Sequence, residues 1–230
     1  TTRKLFVTEE GRFFYEQARP GLEKIRMAQD EIMKGLSEPQ GMLRITAAPV
    51  ELGNVILPKV IEKYRQRYPK VTFELHFSDR RVDLVGEGFD LAIRAGSLKD
   101  SSLMAKKVGE AYFAPFATQG YLNKKGIPLQ PKDLLKHDCL QFKSAGWESW
   151  KLVSGKQIVD VPIESKVEVN DLNALKSLAM KGMGVAMLPT FMCGLEAKSG
   201  QLVRLMDKWK TNMVPIHFVY PGSKNISPKV

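Results

Sequence analysis

Ser78-Asp79-Arg80-Arg81-Val82-Asp83-Leu84-Val85-Gly86-Glu87-Gly88-Phe89-Asp90-Leu91-Ala92-Ile93-Arg94-Ala95-Gly96 is the stretch that decides the fold of this chain. It follows Val71-Thr72-Phe73-Glu74-Leu75-His76-Phe77, an extended run rich in β-branched and aromatic residues, and closes on an apolar burst of its own, Leu91-Ala92-Ile93. The pattern reads as strand, turn, short helix, strand. Upstream, Met42-Leu43-Arg44-Ile45-Thr46-Ala47 alternates as a strand. Leu52 to Tyr68 then has helical spacing at Leu52, Val55, Ile56, Ile61 and Tyr64, and Pro69 stops it. Strand, helical crossover and strand at this separation form a right-handed parallel unit, so the chain is α/β.

Downstream, Ala111 to Ala117 reads as a fourth strand that leads away to a second lobe. That lobe holds Gly120 to Leu122, a loop through Gly126-Ile127-Pro128, a short helix at Pro131 to Leu135, and strands near Leu140 to Phe142, Trp150 to Val153 and Gln157 to Val161. A helix from Asp171 to Lys181, with Asn170 as its N-cap, leads to a strand at Val185 to Leu188 and a helix at Phe191 to Lys198. Leu202 to Leu205 then runs through Trp209 to a strand at Ile216 to Tyr220 that returns to the first lobe. Two chain crossings make a hinge.

At the other end, Thr8 and the acids Glu9 and Glu10 open a helix with a hydroxyl cap and a favourable dipole. Tyr15, Ala18, Leu22, Ile25, Gln29, Ile32 and Leu36 step by threes and fours, a heptad seam suited to a partner helix. Pro20-Gly21 predicts a kink or restart within it, because proline lacks a donor and crowds the preceding turn. Ser37-Glu38-Pro39-Gln40-Gly41 is a breaker cluster and marks a linker.

A chain of 230 residues, 43% hydrophobic, can bury a substantial core. Its two cysteines, Cys139 and Cys193, have no metal-type spacing and suit a reducing compartment. No apolar stretch approaches membrane-spanning length, and no export signal is visible, which predicts a cytoplasmic protein. Residues 1–40 carry equal numbers of acids and bases, so the net charge of +10 lies wholly beyond them, on scattered lysines that read as solvated surface. Motifs of serine hydrolases, zinc peptidases and phosphate-binding loops are missing, and Gly182-Met183-Gly184 reads as a turn, so no enzyme is predicted. His137-Asp138-Cys139 reads as a buried structural cysteine, and His76 and His217 as edge or core histidines. No metal site and no cofactor are expected.

The quoted run resembles the regulatory domain of LysR-type transcriptional regulators. Thr1-Thr2-Arg3-Lys4-Leu5-Phe6-Val7-Thr8-Glu9-Glu10-Gly11, Asp100-Ser101-Ser102-Leu103-Met104-Ala105 and Gly182-Met183-Gly184-Val185-Ala186-Met187-Leu188-Pro189 agree with that family in the expected order. The resemblance implies a two-lobed regulatory domain of the periplasmic-binding-protein type (type 2), preceded by a long linker helix. Residues 1–7 would be a remnant of a DNA-binding wing, with Thr1, Thr2 and Arg3 at the DNA, and 8–38 the linker and dimerisation helix. Residues 41–113 plus 214–230 would form one subdomain and 114–213 the other.

The same resemblance implies a bacterial regulator that binds a small molecule between its lobes and works as a homodimer or tetramer. Operator DNA would be read by a helix-turn-helix upstream of this chain. Ligands of parallel sheets settle at the carboxyl ends of strands. Effector contacts are therefore expected at Ala48, Pro49, Val50 and Glu51, at Asn170 and Asp171, and, from the resemblance, at Ser78, Arg94, Ala95 and Gly96. Phe116, Phe142 and Trp147 are candidates for aromatic walls. Arg94 either pins an anionic group or pairs with Asp79, Asp83 or Asp90, and the three aromatics either line the cleft or belong to the core. A two-lobed solute-binding protein is the rival reading, which the heptad seam disfavours.

Overall fold

The computed structural model describes residues 7–34, 38–47, 57–78, 80, 82–96, 103–222 and 226–230, with the side chains of 30–34 and 144 excepted. It begins with a helix, α1 (Glu9–Lys34), whose first turn is held by the Thr8 hydroxyl accepting from the Gly11 N–H at 3.1 Å. The restart expected at Pro20 does not occur, since α1 runs through it without interruption. Polar contacts on both sides of Pro20 hold α1 to one turn of the domain. Tyr15 Oη donates to the Gly86 carbonyl, Arg19 pairs with Asp83 at 3.0 Å, and Arg26 pairs with Asp90 at 2.7 Å.

The first lobe is a sheet of β1 (Gly41–Ala47), β2 (Val71–Phe77), β3 (Leu91–Ala95), β4 (Leu103–Ala111) and β12 (Val214–Pro221), in the order β2-β1-β3-β12-β4. The strands β2, β1 and β3 are parallel, as the sequence predicts, and β12 enters antiparallel between β3 and β4. The described part of the crossover helix, α2 (Leu57–Arg67), covers one face and builds a core with Leu43, Ile45, Val71, Leu91, Ile93 and Ile216. The opposite face is sealed by Leu84, Phe89, Ala92 and Val219.

Residues 84–88, where a short helix is expected, form a turn instead. Gly88 takes φ +70°, open to glycine, and the Asp83 carboxylate accepts from the Gly86 N–H at 3.0 Å. Two glycines in three residues and a side-chain acceptor favour a local turn over helical bonding.

The second lobe contains β5 (Phe113–Ala117), β6 (Cys139–Phe142), β9 (Ser165–Val169), β10 (Val185–Pro189) and β11 (Val203–Arg204), in the order β11-β5-β10-β6-β9. A hairpin of β7 (Ser149–Ser154) and β8 (Gln157–Pro162) stands beside it. One face of β10, with Ala186 and Leu188, packs on α4 (Leu172–Met180). The other, with Val185 and Met187, packs on Trp150, Leu152 and Val161 of the hairpin. The remaining helices are α3 (Gln119–Lys125), capped by Thr118, and α5 (Gly194–Lys198). Among the described residues no helix is long and apolar enough to cross a membrane, and no cluster of potential metal ligands occurs.

Candidate functional site

Two segments join the lobes: Tyr112, between β4 and β5, and Thr211–Met213, between β11 and β12. Thr211 clasps them together. Its hydroxyl accepts from the Phe113 N–H at 3.0 Å and donates to the Asn212 carbonyl at 2.9 Å, and its own N–H donates to the Phe113 carbonyl at 2.9 Å. Tyr112 lies under two cations, with Lys210 Nζ 4.6 Å and the Arg204 guanidinium 5.6 Å from its ring. Such a joint ties the two crossings to each other.

Beside the second crossing lies a cavity of about 190 Å³, lined by Trp147, Ser149, Trp150, Lys151, Met187, Thr211, Asn212, Met213 and Val214. Strand β7 and the crossing meet at an antiparallel bridge between Val153 and Lys210 and diverge beyond it, which opens the gap. Trp147 forms one wall and rests edge-on against Phe113, the first residue of β5, at 5.0 Å between ring centres.

On the lobe I side of the joint stand Arg94 and, across the strand pair, His217. Arg94 reaches from β3 to the Ser78 carbonyl, with Nη1 at 3.5 Å. Of the acids considered as its partners, Asp83 is paired with Arg19, while Asp90 is held by Arg26 and Lys229; Asp79 lies outside the described residues. His217 is the cross-strand neighbour of Arg94, and its buried Nδ1 has no hydrogen-bond partner among the described residues; the same is true of the fully buried Thr46 hydroxyl on β1. Gly96, at the end of β3, donates its N–H to the Pro215 carbonyl at 2.9 Å, which brings this end of lobe I to the second crossing.

Ser78, Arg94, Ala95 and Gly96 therefore stand at the strand ends where they are expected, and Trp147 lines the cavity. Phe116 does not form a wall: it is buried in the lobe II core with Leu140 and Leu175, because its side chain lies on the α4 face of β5. Phe142 is half-buried against that same core. The cap of α4 is Asp171, not Asn170. Its carboxylate accepts from the Ala174 N–H at 2.7 Å, and its extended backbone (φ −126°, ψ 127°) is the conformation a cap needs. Ala48, Pro49, Val50, Glu51, Thr1, Thr2, Arg3 and Leu36 lie outside the described residues, as does the side chain of Ile32.

The lobes thus meet across a joint with an aromatic cavity on one side and the half-buried Arg94 on the other. The description of the LysR substrate binding domain matches residues 36–230. The chain belongs to the LysR family. A LysR relative from Haemophilus influenzae, named only as an uncharacterized HTH-type transcriptional regulator, is 33% identical over 231 residues that span all of this chain and 80% of that protein. The HTH-type transcriptional regulator CrgA of Neisseria meningitidis is 29% identical over 228 residues. Its solved structure aligns with all of this chain and 79% of its own, with a TM-score of 0.73. The full-length virulence activator AphB of Vibrio cholerae aligns with a TM-score of 0.78 at 26% identity, over all of this chain and 78% of its own. This LysR chain is thus the effector-binding portion of a transcriptional regulator, and its fold is the two-lobed regulatory domain.

The residues of the second crossing, Thr211, Asn212 and Met213, are absent from the sequence-based site. They carry no motif and sit between Lys210 and Val214 in a stretch without periodicity. The available signal is topological: a returning last strand requires a second crossing, and a crossing borders the cleft.

Proposed function

We infer that this chain is the sensing and oligomerisation portion of a cytoplasmic, bacterial DNA-binding regulator that couples a small molecule between its lobes to the placement of a DNA-binding domain joined to α1. The observation that carries this reading is the Thr211 clasp with a lined cavity at its side, because a ligand there touches the segment about which the lobes turn. Residues 41–113 with 214–230 act as one subdomain and 114–213 as the other, and 8–38 as the linker. Only a ligand with different affinity for two lobe arrangements can shift them.

The seam on α1 supports a paired state. Leu22 and Ile25 are 66% and 58% exposed, and Phe14 is exposed beside them, an apolar stripe that a second helix would cover. The ion-paired tethers to the domain run through Arg19 and Arg26, outside the seam, while the seam residue Tyr15 also bonds the domain through its hydroxyl, so a partner helix would be held mainly by Leu22 and Ile25. Leu22→Glu with Ile25→Glu is expected to reduce the mass seen by light scattering to that of one chain. A monomeric parent would instead favour a solute-binding protein.

Sensing is tested by a thermal-shift screen against aromatic acids, phenols, amino acids and metabolic carboxylates, with Arg94→Ala as the comparison. A specific ligand at a hundredfold excess over its Kd stabilises by about 2.7 kcal/mol. Stabilisation that disappears in Arg94→Ala supports the reading, and turnover of any such compound contradicts it.

A further inference from the structure

The cavity at the second crossing has a chemistry more specific than that of a general cleft. Several of its polar atoms are already committed: Trp150 Nε1 donates to Gln141 Oε1 at 3.1 Å, and the Trp147 carbonyl accepts from the Gln141 side-chain amide. The Thr211 hydroxyl is engaged as both donor and acceptor. Apart from the Ser149 hydroxyl and the rim residues Lys151 and Asn212, the lining offers a ligand mainly apolar groups: two indoles, the thioethers of Met187 and Met213, and Val214. Thioethers and ring edges are favourable neighbours for an aromatic ring.

Size narrows the ligand further. An apolar cavity of about 150 Å³ takes benzene, and drug-sized ligands need about 300 Å³ or more. At about 190 Å³ the slot takes a single substituted ring. Its lining contains one charged residue, Lys151, and no acid. Lys151 and Asn212 are both exposed, at the rim, so a polar head can stay in contact with water while the ring is buried.

We propose that this slot is the ring-binding part of the effector site and that it takes a single-ring aromatic anion, ring inward and head toward Asn212 and Lys151. The proposal rests on the sensing function inferred above and names the class of molecule sensed. A ring in the slot touches Thr211 to Val214 of one crossing, and through Trp147 it bears on Phe113 beside the other. Occupancy therefore acts on both strands of the joint, which is how binding in one lobe reaches the other.

Two of the chain's three tryptophans line the slot, so their emission reports occupancy directly. The test titrates benzoate, benzylamine, benzyl alcohol and acetate into the 230-residue chain, and into Lys151→Gln and Val214→Phe. Benzoate is expected to change tryptophan emission saturably, with benzylamine weaker by about tenfold or more and acetate without effect. Lys151→Gln should weaken benzoate and leave benzyl alcohol unchanged. Val214→Phe, which fills the slot, should abolish both, provided its melting temperature matches the parent. Because Lys151 is exposed, its variant keeps the test decisive if Val214→Phe does not fold. No saturable response to benzoate, equal binding of benzylamine, or indifference to Lys151→Gln overturns the proposal. A compound from the thermal-shift screen that is lost in Arg94→Ala but unaffected by Val214→Phe also overturns it, and leaves the sensing function standing.

Discussion

Cys139 shows how burial alone sets the chemistry of a side chain. It is 4% exposed at the start of β6, and removal from water pushes its thiol up to about 12 from an ordinary value near 9. The folded thiol stays protonated between those values while the unfolded one ionises. Its contribution to stability is therefore complete below pH 9 and declines as pH rises toward 12, by up to about 1.4 kcal/mol per unit. Urea unfolding of the parent and of Cys139→Ala as a function of pH isolates this slope, and iodoacetamide is expected to label Cys139 only after unfolding. Gly184 is constrained by space: a Cβ there would stand 2.2 Å from the Asp138 carbonyl oxygen, a backbone atom that cannot turn aside. Gly184→Ala should cost about 3 kcal/mol in a thermal melt, against about 1–2 kcal/mol for Gly182→Ala, where the φ of +72° is strained and a Cβ would meet only the Thr118 hydroxyl, at 3.2 Å. The burial of Cys139 is legible from its apolar strand, but the choice of Asp171 over Asn170 as a cap is not. Both side chains can accept from a helix N-terminus, and only the backbone dihedrals decide which one does.

At the scale of elements, the strength of the attachment of α1 resides in Asp90. Its carboxylate is 6% exposed and is held by Arg26 from α1, the Arg44 N–H from β1 at 2.9 Å, and Lys229 near the chain end at 3.2 Å. Removing that one charge leaves two cations facing each other without compensation. Asp90→Asn is expected to destabilise the fold by about 3 kcal/mol in urea unfolding and to speed amide exchange in residues 82–90, whereas Arg26→Ala should release α1 with a smaller loss. Helix α1 and strands β1 and β2 are readable because each has a strong period, and β3 because it is an unbroken apolar run. Strand β4 is hidden because it is an exposed edge whose Met104-Ala105-Lys106-Lys107-Val108 does not alternate, and its lysines suit an edge that must not pair with another chain. Strand β9 is hidden because Ser165-Lys166-Val167-Glu168-Val169 is half polar and one sheet face suffices to hold it. Pro20 does not restart the helix, and tethers to the domain lie on either side of it.

At the scale of the whole molecule, two five-stranded sheets are joined by two short segments, and Thr211 clasps those segments together. Thr211→Val keeps the volume and removes the acceptor for the Phe113 N–H, so it should cost about 1–3 kcal/mol, measurable in chemical unfolding, and should widen the spread of interlobe distances seen by paired spin labels. The lobes themselves are legible in the order of strands and helices along the chain, but the cavity is not, since it arises where β7 and the second crossing part company after Val153 and Lys210. The helix α1 also carries two chemistries: the ion pairs of Arg19 and Arg26 and the hydroxyl of the seam residue Tyr15 toward its own domain, and the exposed seam residues Leu22 and Ile25 with Phe14 near them. Screening weakens exposed ion pairs, while excluded salts such as sulfate strengthen apolar burial. In the paired state proposed above, salt would thus act oppositely on the two attachments of one helix, loosening its angle to the sensing domain while tightening its grip on a second copy.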